Sequence, residues 1–316
     1  MEVDRMFAKK DKTEMLENNR FGSVSKKSNL IMNFIMALLA FLCVIPFIFV
    51  VIISFTSEKS LKTNGFSFFP DKLSLEAYKY IITSSDQLMK SYGVTILITV
   101  LGTIVGLFFI STYAYAISRK SFAYKKFFTT FAFIPMLFGG GMVSFYLVVT
   151  KFLHLKNSIW ALILPMCMNS WYVIVLRTFF KTSVPDAVIE SAKIDGATEW
   201  RLFFQIVLPI SLPGMATIAL FLTLGYWNDW FNAMLFIDSP SLTPLQYLLM
   251  RIENSMEFLS QNATKLGVSQ IEAAANMPKE TAKMAMVVLS TLPIVFAYPF
   301  FQKYFVNGLT IGAVKE

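Results

Sequence analysis

The run Leu30–Phe55 contains no charged residue, and this feature constrains the fold more than any other. About 20 apolar residues, rising 1.5 Å each as a helix, span the hydrocarbon of a bilayer. The run is longer than that, and it starts too late to be a cleaved secretory leader, so it is expected to persist as a helix. The same reasoning marks Gly93–Ile117, Phe127–Thr150, Ser158–Leu176, Leu212–Ile237 and Met284–Phe301. The predicted fold class is an all-α integral membrane protein with six transmembrane helices. Composition agrees: 55% of residues are hydrophobic and 15% charged, too few to clothe a soluble surface for 316 residues.

The same composition excludes several kinds of chemistry. Both cysteines, Cys43 and Cys167, lie inside apolar runs, and His154 is the single histidine. A disulfide framework, a metal cluster or a catalytic thiol has nothing to build on, and no metal is expected. The net charge of +8 reads as the positive-inside bias of a membrane protein, so no nucleic-acid partner is expected. The bias also sets an orientation. Arg5, Lys9, Lys10, Lys12, Arg20, Lys26 and Lys27 precede the first span, and Arg119, Lys120, Lys125 and Lys126 fill the loop after the second. Both belong on the cytoplasmic side. Alternation then places residues 177–211 and both termini in the cytoplasm, and residues 238–283 outside.

The cytoplasmic segment "ESAKIDGATEWRLFFQIVLP", Glu190–Pro209, is charged and sharply punctuated. Ser183, Pro185 and Asp186 read as a helix start, with a cap, a first-turn proline and an early acid. The helix should run to about Asp195 and stop at Gly196, which tolerates the left-handed conformation. Thr198 is expected to cap a second helix, on which Trp200, Phe203, Phe204 and Val207 fall at i, i+3, i+4 and i+7 as one apolar stripe. Pro209 and Pro213 should end it. The product is a helix–glycine–helix elbow at the membrane face. An amphipathic linker lying on lipid would show the same physics.

The spacing of this elbow goes further. Glu190, Ser191 and Ala192, then three residues, Gly196, nine residues, and Ile206-Val207-Leu208-Pro209 resemble the EAA loop of ABC importer permeases. Ser191 in place of the middle alanine is the one departure. "WNDWFNAMLFI" (Trp227–Ile237), "YFVNGLTIGAVKE" (Tyr304–Glu316), "LFGGGMVSFYLVVTKFLHLKNSIWALILP" (Leu137–Pro165) and "SLEAYKYI" (Ser74–Ile81) are similar to the carbohydrate-uptake branch. They look like the second permease of a maltose-type pair serving oligosaccharides.

The resemblance implies a type I importer permease domain over residues 29–316, with its coupling loop at about 183–209 and a cytoplasmic tail at 1–28. It implies that Glu190, Ser191, Ala192, Asp195, Gly196, Trp200, Ile206, Leu208 and Pro209 meet a separate ATPase. It also implies a second permease subunit, two ATPase subunits that bind ATP and Mg, an extracellular solute-binding protein docking on residues 56–92 and 238–283, and a bacterial plasma membrane. The chain's own fourteen glycines include none at the spacing of a phosphate-binding loop, so it is expected to be a transport subunit and not an enzyme. A permease for a non-sugar solute, or an ion-coupled carrier, is the alternative reading. Asp229 is the one acid inside a predicted span, which is little for ion coupling.

Three groups of residues are candidates for a sugar path. Gly139, Gly140 and Gly141 should break the third span, and broken backbone at membrane depth needs a cavity or a protein cover. Asn169, Trp171 and Tyr172 put polar and aromatic groups in the middle of the fourth. Trp227, Asn228, Asp229 and Trp230 lie roughly 25 Å along the fifth, and buried acids usually face a bundle interior. The pathway is the favoured reading of the glycines and midplane amides, with packing between helices as the other explanation, an aromatic belt would equally explain the tryptophans, and the Gly102/Gly106 pair reads as a packing face.

Overall fold

A computed structural model describes residues 26–83, 87–262 and 277–313, and side chains as far as residue 302. The described residues are helical, apart from connecting segments and one isolated antiparallel bridge between Thr56 and Leu73. The helices are α1 (Lys26–Ser54), α2 (Glu58–Asn64), α3 (Glu76–Thr83), α4 (Leu88–Ser118), α5 (Lys125–Leu137), α6 (Met142–Phe152), α7 (Trp160–Met166), α8 (Ser170–Ser183), α9 (Asp186–Ile194), α10 (Glu199–Ile210), α11 (Leu212–Trp227), α12 (Phe231–Phe236), α13 (Leu245–Asn262) and α14 (Lys279–Ala313).

The membrane-spanning expectation divides in two. Helices α1, α4 and α14 are unbroken and apolar enough to cross a bilayer. The other three expected spans are broken. Phe127–Thr150 is α5 and α6 at 117° to each other, and Ser158–Leu176 is α7 and α8 at 52°. The fifth expected span, Leu212–Ile237, is α11, then a break, then the short α12. Helix α10 meets α11 at 84°. At 16 residues α11 is about 24 Å long, short of the roughly 30 Å hydrocarbon layer. Local chemistry accompanies each break: three glycines after Pro135, the Pro165 to Ser170 segment, and Asn228-Asp229 between α11 and α12; Ser211 between Pro209 and Pro213 marks the bend from α10 into α11.

Helix α4 is the column of the bundle. Its 31 residues reach about 46 Å, so its two ends join different cores. Toward Ser118, Ile110, Ala114, Tyr115 and Ile117 pack with α8, α9, α10 and α11. Toward Leu88 it joins α3, α13 and α14 around Ile81, Leu245 and Met256. In between, Ile98 meets α7 and Ala233. A buried carboxylate ties α2 to α14. Glu58 Oε1 accepts from Glu280 N, while Oε2 accepts from Thr281 N and Thr281 Oγ1 at 3.0 and 2.9 Å. It thereby caps α14, whose first amides lack helical partners.

Helix α1 packs on α14 through its C-terminal part, where Ile53 and Ser54 are buried. Its first half presents apolar side chains such as Leu30 and Phe34 outward. The Gly102/Gly106 pair is a packing face, as expected. The Tyr226 ring occupies the space a Cβ at Gly102 would need, at 2.5 Å, and Leu222 lies 3.1 Å from one at Gly106. Tyr226 is fully buried, and its hydroxyl donates to Ile163 O at 2.8 Å. Gly102→Ala therefore overpacks a site that cannot yield, at a cost of about 1–3 kcal/mol. A lowered thermal midpoint of the purified protein is expected for this variant and not for Gly93→Ala, where nothing lies within 4 Å.

Candidate coupling elbow and transport path

The elbow forms where it was expected, with one correction at its start. Ser183 does not cap it; Ser183 is the last residue of α8. Val184 is extended and Pro185 takes the cap position without a side-chain bond. A residue before proline avoids the helical region, which explains the stop. Asp186 then sits in the first turn of α9, where an acid favours the helix dipole. The helix ends with Gly196 at φ +80° and a bond from Ala197 N to Ala192 O at 2.9 Å. Thr198 caps α10, its hydroxyl accepting from Arg201 N.

The elbow has two faces. Ile189, Leu202, Phe203 and Val207 are buried in the bundle. Glu190, Ser191, Asp195, Gly196 and Pro209 are exposed, and so are Val188, Ile194 and Trp200. Ala192, Ile206 and Leu208 are half-buried against the core. The expected single stripe splits. Phe203 and Val207 face inward, while Trp200 stacks on Phe204 outside, with ring centroids 5.9 Å apart and planes at 16°. Residues Phe203–Val207 form a π-helical turn, so the 3.6-residue period drifts there. Polar bonds tie the elbow down. Lys193 Nζ lies 2.7 Å from Glu199 Oε1, Tyr115 donates to Glu199 Oε2, and Lys120 Nζ lies 2.6 Å from Asp186. The Lys120 hydrogen bond holds the Asp186 carboxyl below the usual carboxylate range.

The path candidates do not gather at one place within this chain. Gly139, Gly140 and Gly141 form the break between α5 and α6, and Gly141 has φ +77°. Nothing lies within 4 Å of where their Cβ atoms would sit, so they serve no close contact among the described residues. Asn169 caps α8, accepting from Trp171 N and Tyr172 N at 2.9 and 3.3 Å. Tyr172 stacks on Phe221 at 5.9 Å and, with Asn169 and Gly225, lines a cavity of about 190 Å³. Trp171 is exposed and packs edge-on against Tyr172 and Phe221.

The Trp-Asn-Asp-Trp set diverges. Trp227 is buried, and its Nε1 donates to Ser290 O at 2.9 Å. Asn228 turns back on Leu224 O and accepts from Gln246. Asp229 accepts from the backbone and side-chain amides of Asn232, at 3.2 and 3.0 Å, and so closes the first turn of α12. Trp230 opens onto a separate cavity of about 510 Å³ with Gln246, Glu253 and Lys283. The polar residues thus act first as caps at helix breaks. The signal was present in the sequence as Asn and Asp three residues or fewer before an apolar run, the positions where caps belong.

The described helices make a bundle with several segments long and apolar enough to cross a membrane. The chain matches, over residues 115–311, the family described as "Binding-protein-dependent transport system inner membrane component", and it belongs to that family. It is 39% identical over 276 residues to the polygalacturonan/rhamnogalacturonan transport system permease protein YtcP of Bacillus subtilis (strain 168), covering 87% of this chain and 94% of that protein. It is 40% identical over 272 residues to Protein LplC of the same organism, covering 86% and 89%. Its fold is similar, with a TM-score of 0.70 and 25% identity over 90% of this chain and 99% of the other, to a chain in the crystal structure of a bacterial ABC transporter involved in the import of the acidic polysaccharide alginate. The resemblance read from the elbow is borne out, and the chain is a transport component embedded in a membrane.

The two tryptophans of the fifth segment separate packing from path. Trp227→Ala removes a buried ring and its hydrogen bond, a change that costs about 3–5 kcal/mol in a core. It should lower the thermal midpoint of the solubilised protein sharply, whereas Trp230→Ala, at an exposed position, should leave it near that of the native protein.

Proposed function

We propose that this chain is one of two membrane-embedded halves of an ATP-driven importer for oligosaccharides in a bacterial plasma membrane. Six crossings with both termini in the cytoplasm are part of that reading. A second permease, two ATPase subunits that bind ATP and Mg, and an extracellular solute-binding protein would complete the machine. The observation that carries the reading is the elbow. It presents Glu190, Ile194, Gly196 and Trp200 to the exterior, with the two helices held at a fixed turn. An exposed apolar tip ringed by charge is the surface a cleft in another subunit would accept. The substrates that relatives are named for support the sugar assignment. They include arabinooligosaccharides and diacetylchitobiose besides polygalacturonan and rhamnogalacturonan.

In this reading, a loaded binding protein docks on the Leu88 side of the bundle, and ATP binding closes the ATPases against the elbow. The helices then rearrange and the path opens outward. The sugar path runs between the two permeases, where Gly139–Gly141, Tyr172 and Trp230 would face the partner across a shared cavity. Aromatic faces and a few oriented polar groups suit a carbohydrate there.

The chain carried by an affinity tag should bring out one further permease and two ATPase subunits per complex. Binding to the cognate solute-binding protein should then select among trigalacturonate, arabinotriose and diacetylchitobiose. Recovery of the chain alone, with transport intact, would instead favour an ion-coupled carrier. Gly196→Val gives a second check. A β-branched residue is strained at a left-handed position, and the open space around Gly196 means the defect is confined to the turn. ATPase stimulation should be lost while membrane insertion of the chain is unchanged, as read by fractionation and ATP turnover.

A further inference from the structure

Two kinds of contact hold the elbow against α4. One is apolar: Leu202, Phe203 and Val207 sink into the core with Ile110 and Ala114. The other converges on a single carboxylate. Glu199 stands at the start of α10. Its Oε2 accepts from the Tyr115 hydroxyl of α4 at 2.6 Å, and its Oε1 lies 2.7 Å from Lys193 Nζ of α9. Three helices therefore meet at one group. On the α4 side the tyrosine is itself held. Its ring lies 5.1 Å from that of Phe203, the Arg119 guanidinium sits 5.1 Å from its centroid, and Arg119 Nε donates to Ser118 Oγ. The Lys120–Asp186 pair is a second tie, with side chains 81% and 53% exposed; the Lys193–Glu199 pair, at 38% and 55%, is itself open to water on the carboxylate side, and the Tyr115 hydroxyl, on a buried residue, is what distinguishes the Glu199 tie.

Packing leaves one side of the α4–α10 contact unfilled. Beside the Tyr115–Glu199 bond lies a cavity of about 210 Å³ bounded by Thr112, Ala116, Trp200 and Phe203. On that side α10 has no apolar support, and the hydrogen bond is the polar tie across the gap. The Gly196 turn poses a related problem. A push on α9 alone would be absorbed at the left-handed glycine before reaching α10. The Lys193–Glu199 pair bridges that turn and links the two helices as one lever.

We infer that Glu199 is the node through which movement of the elbow passes to α4, with Tyr115 receiving it and Lys193 stiffening the lever. These are positioning residues, and the inference rests on the coupling role proposed above. Helix α4 then carries the displacement past its Gly102–Tyr226 contact to the core at its Leu88 end.

Tyr115→Phe removes one oxygen and keeps the ring against Phe203 and Arg119, so it tests the bond without emptying the core. The measurement is ATP turnover of the assembled transporter in liposomes, with and without its binding protein loaded from trigalacturonate, arabinotriose or diacetylchitobiose. Assembly, thermal midpoint and basal turnover should match the native complex. Stimulation should fall by about fivefold or more, the lower end of typical coupling factors. Lys193→Met should act in the same direction, and the double variant should fall no further than the worse single one, because both act through one node. Stimulation of Tyr115→Phe at the native level would overturn the inference. A parallel fall in assembly, basal turnover and stimulation would overturn it too, by making the bond merely structural. If the native complex itself shows no stimulation, the importer reading fails and takes this inference with it.

Discussion

In hydrocarbon, every unpaired peptide group costs several kcal/mol, and water is not there to take its place. The architecture depends on how the chain meets that constraint while breaking three of its helices. Asn169 supplies the acceptor for two amides at the start of α8, and Asp229 does the same for Asn232 at α12. Asn228 satisfies Leu224 O at the end of α11. Thr198 caps α10 and Glu58 caps α14. With these groups in place the chain can turn sharply beside lipid, and shorter helices can pack around one long column.

The column links the two regions that the proposed cycle must connect. The Ser118 end of α4 shares one core with both helices of the elbow, and its Leu88 end joins the cluster formed by α3, α13 and α14. Close approach at Gly102 and Gly106 locks α4 to α11 midway. A rigid connector of this kind suits a machine whose fuel is consumed on one face of the membrane and whose cargo arrives at the other. Bistable packing, rather than continuous bending, is how such displacements are carried.

Much of the site was legible in the sequence because it rests on local rules. Gly196 needed a left-handed turn and Thr198 needed an apolar helix to cap, and both are seen at those positions. The split of the Trp200–Val207 stripe was not legible, since a π-helical turn changes the period without leaving a mark in hydrophobicity. The polar residues of the fourth and fifth segments looked like a binding surface because amides and acids are costly in apolar surroundings whatever they do. Their bonds to nearby amides appear only once the breaks are located.

The sequence by itself determined that this chain lives in a membrane, where its apolar segments lie, that a glycine elbow interrupts them, and to which family of transport components it belongs. These follow from composition, charge and fixed short spacings, which are properties of neighbouring residues. The tertiary structure alone decided which spans stay straight, and that Trp227 packs on Ser290 while Trp230 turns to a different cavity. It also decided that Tyr115, Lys193 and Glu199 meet. Tyr115 and Glu199 are 84 positions apart, and no local rule acts over such a distance. Only the packing of α4 against α10 brings a hydroxyl on one within reach of a carboxylate on the other.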